Sequence, residues 1–299
     1  MSKFFKALER AEQERALHRP AVPSAPTSTR GPAVDETPPS RALQSSVELS
    51  GGVSDELEEH LVSLLAPTTF AAEQYRALRH LIEQLHKSAE LSVVAVSSPG
   101  AADGKTTTAI NLAGALAQAP DARVLLVDTD LRRAALATHL GLEDRERPGL
   151  VDVILDANLS LAAVAQVCPQ FNMSVLPAGR LSTAPYEVLK SPRVGELLAE
   201  ARRRYDYVVL DTPPVVQFPD CRVIGKWADG VLMVVAAHRT ARKLLDEALN
   251  IMEAAKIVGF VFNGDDRHLV RGSYPSREAS SRVGWQGRAR WSRHSTRRK

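Results

Sequence analysis

Six apolar, β-rich runs, over residues 92–97, 123–128, 173–176, 207–211, 230–236 and 258–262, alternate with stretches of helical periodicity, and this alternation narrows the possible folds more than any other feature. None of the runs interleaves apolar with polar residues, so each strand is expected to be covered on both faces. Strands of that kind separated by helices predict an α/β fold: a largely parallel sheet with helices on both faces. Helices are expected at about 69–87, 105–118, 193–204 and 240–256. Leu78, Ile82 and Leu85 form the stripe of the first, and Leu245, Ala248, Leu249 and Met252 that of the last. Ligands of such sheets bind beyond the carboxyl ends of the strands, which is where the chemistry is sought.

Three of those strand ends carry motifs. The first strand empties into Ser98-Pro-Gly-Ala-Ala-Asp-Gly-Lys-Thr-Thr-Thr, and a helical run follows. A small-residue loop ending Gly-Lys-Thr between a strand and a helix describes a phosphate-binding loop. The backbone N–H groups of Gly100, Asp103, Gly104 and Thr107 and the helix N-terminus would surround a polyphosphate. Lys105 would neutralise its β/γ oxygens and the Thr106 hydroxyl would ligate Mg²⁺. The spacing departs from the full phosphate-loop pattern, since Pro99 stands where the first Gly belongs and Gly100 comes one place later.

The second strand ends in Asp128-Thr-Asp-Leu-Arg132, whose carboxylates at i and i+2 point the same way on an extended chain. They could hold Mg²⁺ and orient an attacking hydroxyl. The fourth run delivers Asp211-Thr-Pro-Pro214, matching the acidic strand end that supports a metal in nucleotide hydrolases. Taken singly, acids at a strand end also read as loop formers or helix caps. All three motifs occur in chain order at carboxyl ends, and that joint pattern favours the nucleotide site.

Other classes are excluded by composition and by the flanks. No run approaches the roughly 18 apolar residues of a membrane span, and Lys6, Glu9, Arg10 and Glu12 interrupt any signal-like apolar core. Cys168 and Cys221 lack the spacing of a metal or redox pair and read as reduced core thiols of a cytoplasmic protein. Residues 3–17 suggest an amphipathic helix on Phe4, Leu8 and Ala11, and residues 20–52, with six prolines, a disordered linker. The net charge of +3 conceals a basic tail. Residues 267–299 hold ten Lys or Arg against the single acid Glu278. Such a tail suggests an anionic partner, a membrane surface with Trp285 and Trp291 as anchors, or nucleic acid; a solvated tail is the plain alternative. The expected organisation is thus a helix over 1–19, a linker over 20–53, a nucleotide-binding domain over 54–266 and a tail over 267–299.

These residues resemble a known family. The loop from Gly100 to Thr106, Asp128-x-Asp130-x-Arg132, and Leu210-Asp211-x-x-Pro214 are similar to the Walker A, A′ and B motifs of the bacterial tyrosine kinases, the autokinases of capsule and exopolysaccharide export. Glu73-x-x-Arg76-x-x-Arg79 resembles the family's oligomerisation motif, and Leu176-Pro-Ala-Gly179, Phe218-Pro-Asp220 and Gly259-x-x-x-Asn263 fall in family order. The resemblance implies a P-loop NTPase fold of the SIMIBI-like kind and a protein-tyrosine (auto)kinase using ATP and Mg²⁺. It implies catalytic roles for Lys105, Asp128, Asp130 and Asp211, metal ligation by Thr106, Asp128 and Asp211, and nucleotide contacts from Arg132 and Asn263 as well as the loop. Glu73, Arg76 and Arg79 would join subunits into a homo-oligomer; read without the family they are a solvated ion-pair ladder. A membrane polysaccharide co-polymerase is the implied activator, at the inner face of the plasma membrane, and nucleic acid is not the expected partner.

The chain departs from the family in its tail, where Tyr274 replaces a tyrosine cluster as the candidate phosphoacceptor. Three readings therefore stay open: a kinase using Tyr274, a kinase with another substrate, or a non-kinase ATPase or nucleotide-gated regulator. A partition or cell-division ATPase fits less well, since those relatives carry a lysine five positions before the main one, where this chain has Gly100.

Overall fold

The computed structural model of the chain describes residues 60–142, 147–253 and 256–265. The expected N-terminal helix, the linker, the basic tail and Tyr274 lie outside the described residues. A short helix α1 (Val62–Leu65) and a long one, α2 (Phe70–Ala89), lead into strand β1 (Val93–Ser97). There follow α3 (Lys105–Ala117), β2 (Val124–Asp128), α4 (Leu136–His139), α5 (Leu150–Leu155), α6 (Leu161–Val164), β3 (Gln166–Cys168) and β4 (Met173–Leu176). The second half comprises α7 (Pro185–Lys190), α8 (Pro192–Arg204), β5 (Tyr207–Asp211), α9 (Asp220–Trp227), β6 (Gly230–Ala236), α10 (Arg242–Ile251) and β7 (Ile257–Asn263).

The strands form one sheet in the order β3-β4-β2-β5-β1-β6-β7, parallel throughout except that β3 runs antiparallel to β4. The central strands are buried along their whole length. Alternate residues feed two cores: Val93, Ala95, Leu125 and Val127 face α5 to α10, whereas Val94, Val96, Leu126 and Val209 face α2 and α3. The absence of polar alternation is thereby explained, because both faces are apolar. Cys168 and Cys221 are buried free thiols. No helix among the described residues is long and apolar enough to cross a membrane.

All six expected strands form. The structure adds β3, a three-residue antiparallel edge strand whose middle residue, Val167, is exposed and which left no apolar run to read. Helix α2 begins where Thr69 Oγ1 accepts from Ala72 N (3.3 Å), and α8 where Ser191 caps Arg193 N ahead of Pro192. Helix α10 stops at Ile251, short of the expected 256. Helix α9 was not expected, because Pro213, Pro214 and Pro219 break the pattern just before it.

Helix α3 is buried on nearly every side, from Thr108 to Ala117. One polar residue organises that burial. Asn111 Oδ1 accepts from Ser63 N (2.8 Å), and its Nδ2 donates to His60 O and Thr107 O (2.9 Å each). The segment around α1 is thus pinned to the helix that opens with Lys105, and Gly114, whose missing Cβ would lie 2.5 Å from Leu64 Cδ2, lets it approach. Asn111→Ala would strand the buried Ser63 N–H, at about 1–3 kcal/mol, and remove the bonds to the partly buried carbonyls of His60 and Thr107. Urea unfolding is expected to show a loss of about 2–4 kcal/mol; a change below about 0.5 kcal/mol, the usual surface effect, would contradict this role.

Candidate active site

The three acidic or basic motifs meet because of sheet order. Strand β5 lies between β2 and β1, and in the parallel register Asp211 stands opposite Asp128 on one side and Val96 on the other. The carboxyl end of β1 therefore releases its loop beside two aspartates. That loop reaches α3 through Gly104, the N-cap, whose φ of 95° is left-handed. A Cβ on Gly104 would also lie 1.9 Å from Asn263 Nδ2, so the position is closed to other residues on two counts. Gly100 is less restricted: a Cβ there would come 3.0 Å from Leu244 Cδ2, the end of a flexible side chain.

The loop is held from within and from the strand ends beyond it. Asp103, buried, accepts from Gly100 N (2.9 Å) and from Thr240 Oγ1 (2.8 Å). Arg239 donates to Ala102 O (2.7 Å), and Asn263 Nδ2 donates to Asp103 O (3.1 Å). Ala102 itself adopts a left-handed φ of 61°, strain that these contacts hold in place. Asn263 thus lies on the loop. Thr107 sits in the first turn of α3, its carbonyl taken by Asn111.

Beyond the loop the charges converge. Lys105 Nζ lies 2.9 Å from Asp130 Oδ2 and 3.3 Å from Thr106 Oγ1, and the Thr106 hydroxyl donates to Asp211 Oδ2 (2.7 Å). Asp128, Asp130 and Asp211 are each no more than 2% exposed. Three buried carboxylates thus gather around one ammonium. Burial pulls the Lys105 pKa down, but Asp211, Asp130 and Asp128 outweigh it and the pKa ends above its ordinary value. Burial, reinforced by Asp211, pushes the Asp128 carboxyl up to about 8. Burial pushes Asp211 up to about 7 against the opposing pull of Lys105 and the Thr106 hydroxyl.

The cluster divides its labour. Asp128 accepts from Asp130 N (3.1 Å), Ala135 N (3.1 Å) and Leu136 N (3.2 Å), which makes it the organiser of the loop after β2. Asp211 Oδ1 is buried with no hydrogen-bond partner. That orphaned oxygen beside the Thr106 hydroxyl fits a hard divalent cation. Among the described residues no three His, Cys, Asp or Glu side chains form a metal cage alone. Mg²⁺ suits such a place, since it is commonly held by one or two carboxylates plus substrate phosphates.

The remaining expected site residues lie apart. Arg132 pairs with Asp220, at 2.5 and 3.2 Å. On α2, Glu73 and Arg76 pair with each other on the surface, while Arg79 turns inward to Glu83 (2.6 Å) and Ala115 O (3.1 Å). Sequence reasoning missed Thr240, Arg239 and the partner role of Asp220. An acid inside a phosphate loop, Asp103, was the available signal that a donor such as Thr240 had to exist.

The raised carboxyls fix a pH dependence. Both groups bind protons more tightly folded than unfolded, so their contribution to stability is complete below about pH 4 and is lost as pH rises toward 7–8. Without nucleotide and Mg²⁺ the unfolding free energy should fall between pH 5 and 8, by at most about 1.4 kcal/mol per pH unit for each group, and the thermal midpoint should fall with it. Asp211→Asn should flatten that fall. A midpoint that rises over this range in the unaltered chain would contradict the charge arrangement.

Comparison with known proteins agrees with this geometry. A family model described as an AAA domain matches residues 91–257. The tyrosine-protein kinase YwqD of Bacillus subtilis is 30% identical over 226 residues, 74% of this chain and 94% of that protein. The succinoglycan biosynthesis transport protein ExoP of Rhizobium meliloti is 31% identical over 206 residues, 67% of this chain but only 26% of that longer protein. Among solved structures, the kinase domain of the Escherichia coli tyrosine kinase ETK superposes with a TM-score of 0.65 at 27% identity, covering 77% of this chain and 89% of that domain. The AAA match takes in the phosphate loop and both acidic strand ends, and one tyrosine kinase is matched over nearly its whole length: the chain belongs to the bacterial tyrosine-kinase family.

Proposed function

We propose that this chain is an ATP-dependent protein-tyrosine kinase that regulates exopolysaccharide or capsule assembly beside a membrane co-polymerase. The observation that carries the reading is the convergence of Lys105, Thr106, Asp130 and Asp211 at one helix N-terminus. Phosphoryl transfer asks a protein mainly for positioning and charge neutralisation, and this cluster supplies both. The N–H groups opening α3 would receive the phosphates, with Lys105 leaving Asp130 to meet the β/γ oxygens. Mg²⁺, when bound, would offset the charge that develops on the transferred group; Thr106 and Asp211 are the residues placed to hold it. As Lys105 turns to the phosphates, Asp130 becomes free to accept the proton of an acceptor hydroxyl, while Asp128 keeps the loop in place. The tyrosine oxygen would bond to the γ-phosphorus as its bond to the β–γ bridging oxygen breaks, leaving ADP.

The names of YwqD and ExoP support kinase chemistry and a polysaccharide setting. Tyr274 is the acceptor we assign in the tail. On α2, Glu73 and Arg76 are exposed to solvent, where a neighbouring subunit of a homo-oligomer could reach them. The ten basic tail residues and an anionic cytoplasmic leaflet are complementary, which supports a peripheral position at the inner face of the plasma membrane.

Phosphopeptide mass spectrometry after incubation with ATP and Mg²⁺, with and without the activator's cytoplasmic segment, tests this reading. Phosphate is expected on Tyr274 and none in Lys105→Ala, whose turnover should fall about a hundred- to a thousandfold. ATP consumed without phosphotyrosine would replace the kinase by a nucleotide-gated ATPase regulator. Turnover retained in Lys105→Ala would overturn the site.

A further inference from the structure

Arg132 closes the Asp128-x-Asp130-x-Arg132 element, two residues beyond the carboxylate that meets Lys105. It grips Asp220, the first residue of α9, through Nε (2.5 Å) and Nη2 (3.2 Å), and its Cζ lies 4.5 Å from the centre of the Phe218 ring. The Asp220 side chain is 1% exposed and that of Arg132 30%. A carboxylate so deeply buried is expensive without a well-aligned partner, and the planar fork of arginine meets it on two atoms.

The two ends of this pair belong to the two acidic motifs. On one side, Arg133 N donates both to Asp130 O (3.0 Å) and to Asp130 Oδ1 (3.1 Å), so the turn that carries Arg132 also orients the Asp130 carboxylate. On the other, residues 212–219 run from Asp211 to Asp220 and are fixed to β1 and its loop by Thr212 N to Val96 O (3.2 Å) and Val215 N to Ser98 O (2.9 Å). We propose that Arg132 is a positioning residue rather than a nucleotide ligand: through Asp220 and the Phe218 ring it braces the turn of Asp130 against the segment of Asp211. The brace holds Asp130 toward Lys105 and fixes the spacing of the two carboxylates. The inference rests on the kinase reading, but its structural half can be judged without it.

The full-length chain is compared with Arg132→Lys, Asp220→Asn, the two combined, and the apolar pair Arg132→Met with Asp220→Leu. For each, kcat and KM for ATP with Mg²⁺, the thermal midpoint, and hydrogen exchange over residues 129–136 without nucleotide are measured. Each single substitution should lower kcat about tenfold, as loss of a supporting partner commonly does. KM should stay within about threefold, and the combined variant should be no slower than the worse single one. Exchange over 129–136 should quicken in all of them. The apolar pair should recover the thermal midpoint but not the turnover, which separates positioning from simple stability. A KM raised about tenfold by Arg132→Lys alone, with Asp220→Asn like the parent, would make Arg132 a nucleotide ligand and overturn the proposal. Multiplying losses, or recovery of turnover in the apolar pair, would overturn it too. A parent chain without turnover would overturn the kinase reading instead, and unchanged exchange in both single variants would then overturn the brace.

Discussion

Everything else in the domain depends on how three buried carboxylates share one ammonium. Asp128, Asp130 and Asp211 are removed from water around Lys105, an arrangement that costs free energy in the absence of further positive charge. The fold contains that cost with donors: two backbone N–H groups at the start of α4 and the N–H of Asp130 for Asp128, and the Thr106 hydroxyl for Asp211. One oxygen of Asp211 is left without a donor. A site short of cations, walled by an N-terminal helix end that attracts anions, is matched to a polyphosphate that brings its own divalent ion.

The parallel sheet makes this convergence possible. Because β5 sits between β1 and β2 in register, one strand end brings Asp211 within reach of both the phosphate loop and the second acidic loop. The helices then act as clamps on the loops between them. Helix α3 is fixed from behind by Asn111 and α1, while the ends of β6 and β7 hold the phosphate loop through Thr240, Arg239 and Asn263. Displacement of any of these elements would move Lys105 relative to Asp130, so packing far from the phosphates bears directly on the chemistry.

Much of this was legible in the sequence, and the rest was hidden for physical reasons. The six strands announced themselves because doubly covered strands must be apolar throughout, and α2, α3 and α8 because their periodicity was long. Short elements were not readable: β3 is an edge strand of only three residues, and α9 follows a proline-rich turn. Within the site, Lys105, Thr106, Asp128, Asp130 and Asp211 were marked by local spacing. Their partners were not. Thr240 lies 137 residues from Asp103, and Asp220 88 residues from Arg132, so only the assembled sheet reveals which polar groups meet. Asp128 shows a further limit, because local spacing at a strand end gives no sign that its carboxylate also gathers three backbone N–H groups.

In the proposed reaction Lys105 exchanges Asp130 for phosphate oxygens while Thr106 and Asp211 take up a divalent cation. A crystal structure of the chain with Mg²⁺ and a non-hydrolysable ATP analogue tests it most directly. Lys105 Nζ should lie on the β/γ oxygens and the cation on Thr106 Oγ1 with Asp211 beside it, leaving Asp130 in place and free of Lys105. A nucleotide bound with Lys105 still paired to Asp130, or a cation held away from Thr106 and Asp211, would contradict it.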